Sequence, residues 1–185
     1  MNDTNLRVGL DIDDTMFDFM GAYVKKFGKP KSDSEITYNV QNKLRIDKEF
    51  WVNLELINKP DFTPELYCTK RVNPKSWTKE CLVKNGLYET NKIGGHILLP
   101  PIYQMYYQQG NKANMIKGKV DVFVEDSIRN FIQLNLAGIP CLLIDCEHNI
   151  EWGPIGRVYS LCYEEIEDTY YLLKNTIGDN FKQLL

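Results

Sequence analysis

A chain of 185 residues with 43% hydrophobic and 12% aromatic residues is long enough for one domain with a real core and a small inserted subdomain. Its net charge of −3 comes without basic runs, which argues against binding of polymeric nucleic acid. Five cysteines without paired CxxC spacing indicate reduced thiols in a cytoplasmic protein, not a zinc site or a disulfide framework. No apolar run approaches the ~20 residues of a membrane span, and no signal peptide is expected before the first strand.

The first predicted element is a short buried strand that ends in carboxylates. The apolar run 6–10 leads directly into Asp11, Asp13 and Asp14. Carboxylates crowded at one strand end repel one another, so we expect a hard divalent cation with oxygen ligands, most commonly Mg²⁺. Asp11 and Asp13 lie two residues apart and project to one side of an extended backbone, so one can act as nucleophile and the other can transfer protons.

The rest of the chain alternates between helical and strand patterns. Helical spacing predicts helices over 18–26, 47–57, 76–85, 127–137 and 163–177, and a short one over 103–109. Apolar runs predict strands over 65–69, 95–99, 120–124, 141–144 and 157–160. Residues 31–46 receive no assignment. The alternation predicts an α/β fold with a doubly wound parallel sheet and helices on both faces.

Polar side chains follow several of these predicted strands. In such a sheet the ligand site lies outside the carboxyl ends of the strands. Thr69 ends the second strand, and Glu125 and Asp126 follow the fourth. Lys112 or Lys117 comes shortly before that fourth strand. We therefore expect these groups to meet the first strand's carboxylates at one edge of the sheet.

This ordered set resembles the four motifs of the haloacid dehalogenase (HAD) superfamily. DIDDT resembles the first motif, CTKR the second, and NKANMI followed by VDVFVEDS the lysine and acidic-pair motifs. More narrowly, the chain resembles the 5′(3′)-deoxyribonucleotidases and similar bacterial and phage nucleotidases. The resemblance implies a HAD-like core of residues 1–15 and 62–185, with a small helical cap, residues 16–61, inserted after the first strand.

The resemblance also implies roles for the carboxylates. Asp11 would attack phosphorus and form an aspartyl-phosphate, and Asp13 would transfer protons. Mg²⁺ would be bound by Asp11, Asp13 (also through its backbone carbonyl), Glu125 and Asp126. The acidic pair is Glu-Asp where the superfamily usually has Asp-Asp, so which of the two binds the metal directly stays open.

The remaining implied site residues are polar or basic. Thr69 would donate its hydroxyl to a phosphoryl oxygen, and Lys112 would offset the charge between nucleophile and phosphate, with Lys117 as the alternative. Lys70 and Arg71, beside Thr69, would contact phosphate or sugar.

Aromatic residues of the cap could bind a base or could form ordinary core. Phe19, Phe50 and Trp51 lie where the nucleotidase cap stacks the base. The two histidines, His96 and His148, have no partner at ligand spacing, and we predict structural roles for both.

The function implied is a Mg²⁺-dependent phosphomonoesterase for a deoxyribonucleoside monophosphate. The first alternative is a HAD phosphatase for another small ester such as a sugar phosphate. The second is a non-catalytic, receiver-like phospho-binding module, although receivers place their phosphoacceptor after the third strand. The identity of the base, the preference for 3′- or 5′-phosphates and the formation of a homodimer stay open.

Overall fold

One parallel sheet organises the chain. The computed structural model describes residues 5–88, 91–93, 96–105 and 111–185. Within these residues, six strands form a sheet in which every neighbouring pair is parallel, in the order β5-β2-β1-β6-β7-β8, and two more form a separate hairpin. In chain order the strands are β1 (Val8–Leu10), β2 (Leu66–Thr69), β3 (Asn91–Ile93), β4 (His96–Leu98), β5 (Ile102–Gln104), β6 (Val122–Glu125), β7 (Cys141–Ile144) and β8 (Arg157–Val158).

Helices connect these strands. They are α1 (Phe19–Phe27), α2 (Asp33–Asn42), α3 (Lys48–Val52), α4 (Lys75–Lys84), α5 (Lys112–Ile116), α6 (Ile128–Leu136) and α7 (Tyr163–Ile177), with 3₁₀ turns at Leu44–Ile46, Glu147–Trp152 and Phe181–Leu184. Polar side chains cap several of them, since Asp18, Asp47 and Ser127 each accept a hydrogen bond from a first-turn backbone N–H. None of the described helices is both long and apolar enough to span a bilayer.

The sheet is buried on both faces. Along β6, Val122 and Val124 pack into one apolar cluster together with residues of α4 and α7. Phe123 points the other way, into a second cluster with residues of α5 and α6. Helices therefore cover both faces, and the predicted α/β fold with a parallel sheet is confirmed.

Glycine in the middle of β1 leaves room for neighbouring side chains. A Cβ at Gly9 would lie 2.8 Å from Phe123 Cδ2 and 2.9 Å from Val120 Cγ1, closer than real side chains come. The pairing of β1 with β6 continues past the strand end, where Asp11 N donates to Val124 O over 3.0 Å. This close pairing brings the carboxyl ends of β1 and β6 side by side.

The predicted third strand forms, but it lies outside the main parallel sheet. Of residues 95–99, His96–Leu98 form β4, which pairs antiparallel with β3 outside the main sheet. The main-sheet strand is β5, directly after the two prolines and parallel to β2, where a short helix over 103–109 was predicted. Its pattern is weak because Ile102 alone of its three residues is buried. Residues 95 and 106–109 lie outside the described residues.

Two further corrections concern the segment between β1 and β2. Residues 33–42, left unassigned, form α2, whose sequence is mostly polar and buries only Asn39 and Val40. The helix predicted over 47–57 ends at residue 52 as α3. The chain beyond it is extended because Leu56 bridges to Phe17 and Ile57 N donates to Met16 O over 2.8 Å.

Candidate active site

Three carboxylates converge at the carboxyl edge of the sheet. Asp11 follows β1, Glu125 ends β6, and Asp126 comes next. All three are buried, and each offers an oxygen within 4.8 Å of the others. Uncompensated carboxylates this close and this buried would strongly destabilise the fold, so the group requires cations.

Lys112 supplies one positive charge to this acidic group. Its Nζ lies 2.7 Å from Asp11 Oδ1 and 2.6 Å from Glu125 Oε2, and the side chain is only 2% exposed. Burial lowers the pKa of Lys112, but the two carboxylates outweigh burial and raise it well above its usual value. The competing candidate, Lys117, follows α5 as its C-cap residue and is exposed. The structure thus brings Lys112, not Lys117, to the acidic group.

The carboxylates differ in how well they are compensated. Burial raises the pKa of Asp11 well above its usual value, and the charge of Glu125 adds to this, although Lys112 opposes both. Burial also raises the pKa of Glu125 against the effect of Lys112. Burial acts in the same direction on Asp126, but other interactions, led by the hydrogen bond with His148, outweigh burial and lower the pKa of Asp126. The Asp11 end is the least compensated part of the group.

A hard cation fits this arrangement. Asp11 Oδ1 is buried, and Lys112 Nζ lies 2.7 Å from it in an ion pair without a well-aligned hydrogen bond. Lys112 offers one positive charge to three buried carboxylates, and these form the all-oxygen donor set that Mg²⁺ prefers. Asp11, Glu125 and Asp126 are therefore the residues that could hold such an ion.

Asp13 faces a different partner. Arg71 Nη2 donates to Asp13 Oδ1 over 2.7 Å, and Arg71 Nε lies 3.0 Å from both Asp13 oxygens. Thr69 Oγ1 donates to Asp13 Oδ2 over 2.9 Å. The Asp13 carboxylate is thus not among the three that converge, and its role as a metal ligand stays a prediction. The Thr69 hydroxyl and the Arg71 guanidinium, both predicted to contact substrate, contact Asp13 here.

Asp14 and Thr15 hold the turn after β1 in place. Asp14 adopts a left-handed φ of 56°, and its Oδ1 accepts a hydrogen bond from Met20 N over 2.8 Å. Burial, together with the charge of Asp126, raises the pKa of Asp14 to about 7. Thr15 Oγ1 donates to Asp126 Oδ1 over 3.3 Å and so ties the turn to the acidic group.

The three predicted base-contact residues lie together. Phe19 stacks on Trp51 with ring centroids 5.7 Å apart, and Phe50 meets Trp51 edge-on at 5.2 Å. Trp51 is 2% exposed and donates Nε1–H to Leu44 O, as a core residue does. Phe19 and Phe50 are half-buried, so they alone of the three offer substantial accessible ring surface. We call Phe19, Phe50 and Trp51 the aromatic group.

Lys70 points away from Asp13. Its Nζ donates to Asn130 Oδ1 in the first turn of α6 over 2.8 Å. Burial lowers the pKa of Lys70, and the charge of Lys112 lowers it further. The predicted contact of Lys70 with phosphate or sugar stays a prediction.

Sequence reasoning missed the contact made by His148. Its Nε2 lies 2.9 Å from Asp126 Oδ2, and this hydrogen bond, with one to Cys146, raises the pKa of His148 to about 10. Asn149 Nδ2 donates to the Asp126 carbonyl over 2.8 Å. The available signal was position, since both residues follow the carboxyl end of β7. The side chain of His96 lies outside the described residues.

Comparison of the chain with protein-family models and with curated proteins gives no match.

Proposed function

We propose that this chain is a Mg²⁺-dependent phosphomonoester hydrolase of the HAD type, acting through an aspartyl-phosphate on Asp11. The observation that carries the proposal is the placement of Asp11. It follows the central strand β1, shares Lys112 with Glu125, and lies beside Asp126 in a buried, incompletely compensated group. Strongly perturbed carboxylates at the carboxyl edge of a parallel sheet are typical of a catalytic centre.

In the first step, an oxygen of Asp11 attacks the phosphorus of the ester. The bond between phosphorus and the ester oxygen breaks, and the departing oxygen takes a proton from Asp13. Lys112, 2.7 Å from Asp11 Oδ1, offsets the negative charge that builds up between the nucleophile and the phosphoryl group. Bound Mg²⁺ would supply charge neutralisation that lets an anionic nucleophile approach an anionic phosphate.

In the second step, water attacks the phosphorus of the aspartyl-phosphate. Asp13 takes the proton from that water, the bond between phosphorus and the Asp11 oxygen breaks, and inorganic phosphate leaves. Each use of a positioned acid or base is typically worth about 10²–10⁴-fold in rate. Asp13 can serve in both steps because its side chain is 19% exposed and so remains accessible.

For the substrate we propose a deoxyribonucleoside monophosphate, with residues 16–61 as the cap. This segment folds into α1, α2 and α3, and it carries the aromatic group. Trp51 stacks over the guanidinium that holds Asp13, with 5.1 Å between Arg71 Cζ and the ring centroid, so the aromatic group borders the proposed reaction centre. The half-buried rings of Phe19 and Phe50 are the surfaces available for a base.

The test is a panel of phosphate esters with Mg²⁺, with Ca²⁺ and with EDTA. The panel contains deoxyribonucleoside 5′- and 3′-monophosphates, ribonucleotides, sugar phosphates and p-nitrophenyl phosphate. We expect turnover of deoxyribonucleotides that requires Mg²⁺, with little support from Ca²⁺, whose looser coordination suits this chemistry poorly. Preference for sugar phosphates would favour the first alternative, and phosphorylation without turnover the receiver-like one. Full activity in EDTA after dialysis would contradict the metal site.

A further inference from the structure

We propose that Arg71 is a positioning residue that orients Asp13 for proton transfer, and not a substrate contact. This inference rests on the proposed function. It starts from burial, since the Arg71 side chain is 0% exposed while that of Asp13 is 19% exposed. A guanidinium without accessible surface cannot reach a substrate unless the site rearranges. The carboxylate in front of it can.

The pair has the geometry of a two-point clamp. Arg71 contributes Nη2 at 2.7 Å from Asp13 Oδ1 and Nε at 3.0 Å from both oxygens. A fork of N–H groups fixes both the position and the plane of a carboxylate, which a single donor such as an ammonium cannot do. Thr69 Oγ1, at the end of β2, donates a further hydrogen bond to Oδ2. Arg71 and Thr69 together therefore orient the Asp13 carboxylate.

Arg71 is itself held in place by groups other than Asp13. The Trp51 ring lies against one face of the guanidinium, with its centroid 5.1 Å from Cζ. Nη1 lies 3.5 Å from Thr78 Oγ1, and that hydroxyl donates to Gln104 Oε1 over 2.7 Å. Side chains from α3, α4 and β5 thus fix the clamp before any substrate arrives.

This arrangement connects the aromatic group to the reaction centre through one side chain. It fixes the position and the plane of the Asp13 side chain, on which proton transfer in both steps depends. Misplacing a catalytic group by about 1 Å can cost about 10²-fold in rate. Loss of Arg71 should therefore act mainly on proton transfer, and only weakly on binding of the substrate.

The experiment compares Arg71→Met and Arg71→Lys with the wild type and with Asp13→Asn, at saturating Mg²⁺. The substrates are thymidine 5′-monophosphate, whose leaving group needs a proton, and p-nitrophenyl phosphate, whose leaving group does not. For Arg71→Met we expect kcat on the nucleotide to fall by about 10²–10⁴-fold, with KM changed less than about threefold. On the aryl ester we expect a burst near one equivalent of nitrophenol followed by slow turnover, as for Asp13→Asn. Arg71→Lys, which keeps the charge without the fork, should lie between Arg71→Met and the wild type.

Arg7→Met is the matched control, since Arg7 also pairs with an aspartate, Asp121, but in an exposed position at the opposite end of β1. It should leave both activities unchanged. A raised KM with kcat preserved, or equal losses on both substrates without a burst, would overturn the positioning role and favour a substrate contact. If Arg71→Met does not fold, the same comparison is decided on Arg71→Lys. A wild type without phosphatase activity would instead refute the proposed function, and this role with it.

Discussion

Replacing Lys112 by methionine is the most direct perturbation of the acidic group. Methionine fills similar volume, so the change removes the ammonium that lies 2.7 Å from Asp11 Oδ1 and 2.6 Å from Glu125 Oε2 and leaves both carboxylates in place. At an effective dielectric constant of about 20, unit charges about 2.7 Å apart attract by about 6 kcal/mol, so the two contacts contribute about 12 kcal/mol of gross attraction. Methionine carries no charge, so the variant avoids the desolvation cost of a buried ammonium, and we expect the free energy of unfolding to fall by about 3–5 kcal/mol, the usual cost of removing one partner of a buried ion pair.

This loss should depend on pH with a definite sign. Burial already raises the pKa values of Asp11 and Glu125 in the folded protein, and both should rise further without Lys112. An acid whose pKa is higher in the folded state than in the unfolded state binds more protons when folded, so stability falls as the pH rises through that interval. Lys112→Met should therefore be more destabilising at pH 8 than at pH 5.

The assay is urea unfolding in EDTA, followed by tryptophan fluorescence and circular dichroism at both pH values. Lys117→Met is the matched control, because this exposed lysine five residues later should change the free energy of unfolding by no more than about 0.5 kcal/mol. Mg²⁺ should return part of the lost stability, since it supplies positive charge to the same carboxylates. A Lys112→Met protein as stable as the wild type in EDTA at pH 8 would refute the electrostatic reasoning.

Three further predictions follow from the same site. Asp11→Asn should abolish turnover and any nitrophenol burst in stopped-flow assays, whereas Asp13→Asn should give a burst near one equivalent; a burst from Asp11→Asn would reverse the assignment. His148→Ala should weaken Mg²⁺ binding by about 10–100-fold in titration calorimetry because it removes the hydrogen bond to Asp126, while His148→Gln should weaken it less; equal affinities would deny the histidine this role. Phe50→Ala should raise KM for a deoxyribonucleotide more than for p-nitrophenyl phosphate, and equal changes would indicate a core function instead.

Elements that depend on local pattern were predicted well. Both β7, a run of four apolar residues, and α7, a long amphipathic helix, have the predicted bounds. The α/β class followed from the alternation of such elements, and the position of the polar clusters followed from the topology of a parallel sheet. Prediction failed where the local pattern is weak. The largely polar sequence of α2 buries few side chains, and the short strand β5 is recognisable only from its pairing with β2.

Contacts between distant residues could not be predicted from the sequence. Residues Asp13 and Arg71 are 58 positions apart, and Asp126 and His148 are 22 apart. The sequence showed that Arg71 lies beside a strand end. It did not show which carboxylate Arg71 would contact, because that depends on the angle at which the side chain leaves the backbone. The same limit made His148 look isolated, since its partner Asp126 follows the strand β6 and does not lie at ligand spacing along the chain.

The two aspartates that open the site illustrate how topology separates neighbouring charges. Asp11 and Asp13 lie two residues apart, and on an ideal extended chain both side chains would project to the same side and share one environment. In the fold the two contact different cations: Asp11 shares Lys112 with Glu125, while Asp13 pairs with Nε and Nη2 of Arg71. Because the cations come from different connections, after β2 for the arginine and before β6 for the lysine, the two carboxylates can differ in environment despite their closeness in sequence. A nucleophile and a proton-transfer group need different environments, because one must attack phosphorus while the other gives and takes a proton. Variants of Asp11 and Lys112 should therefore differ in their kinetics from variants of Asp13 and Arg71.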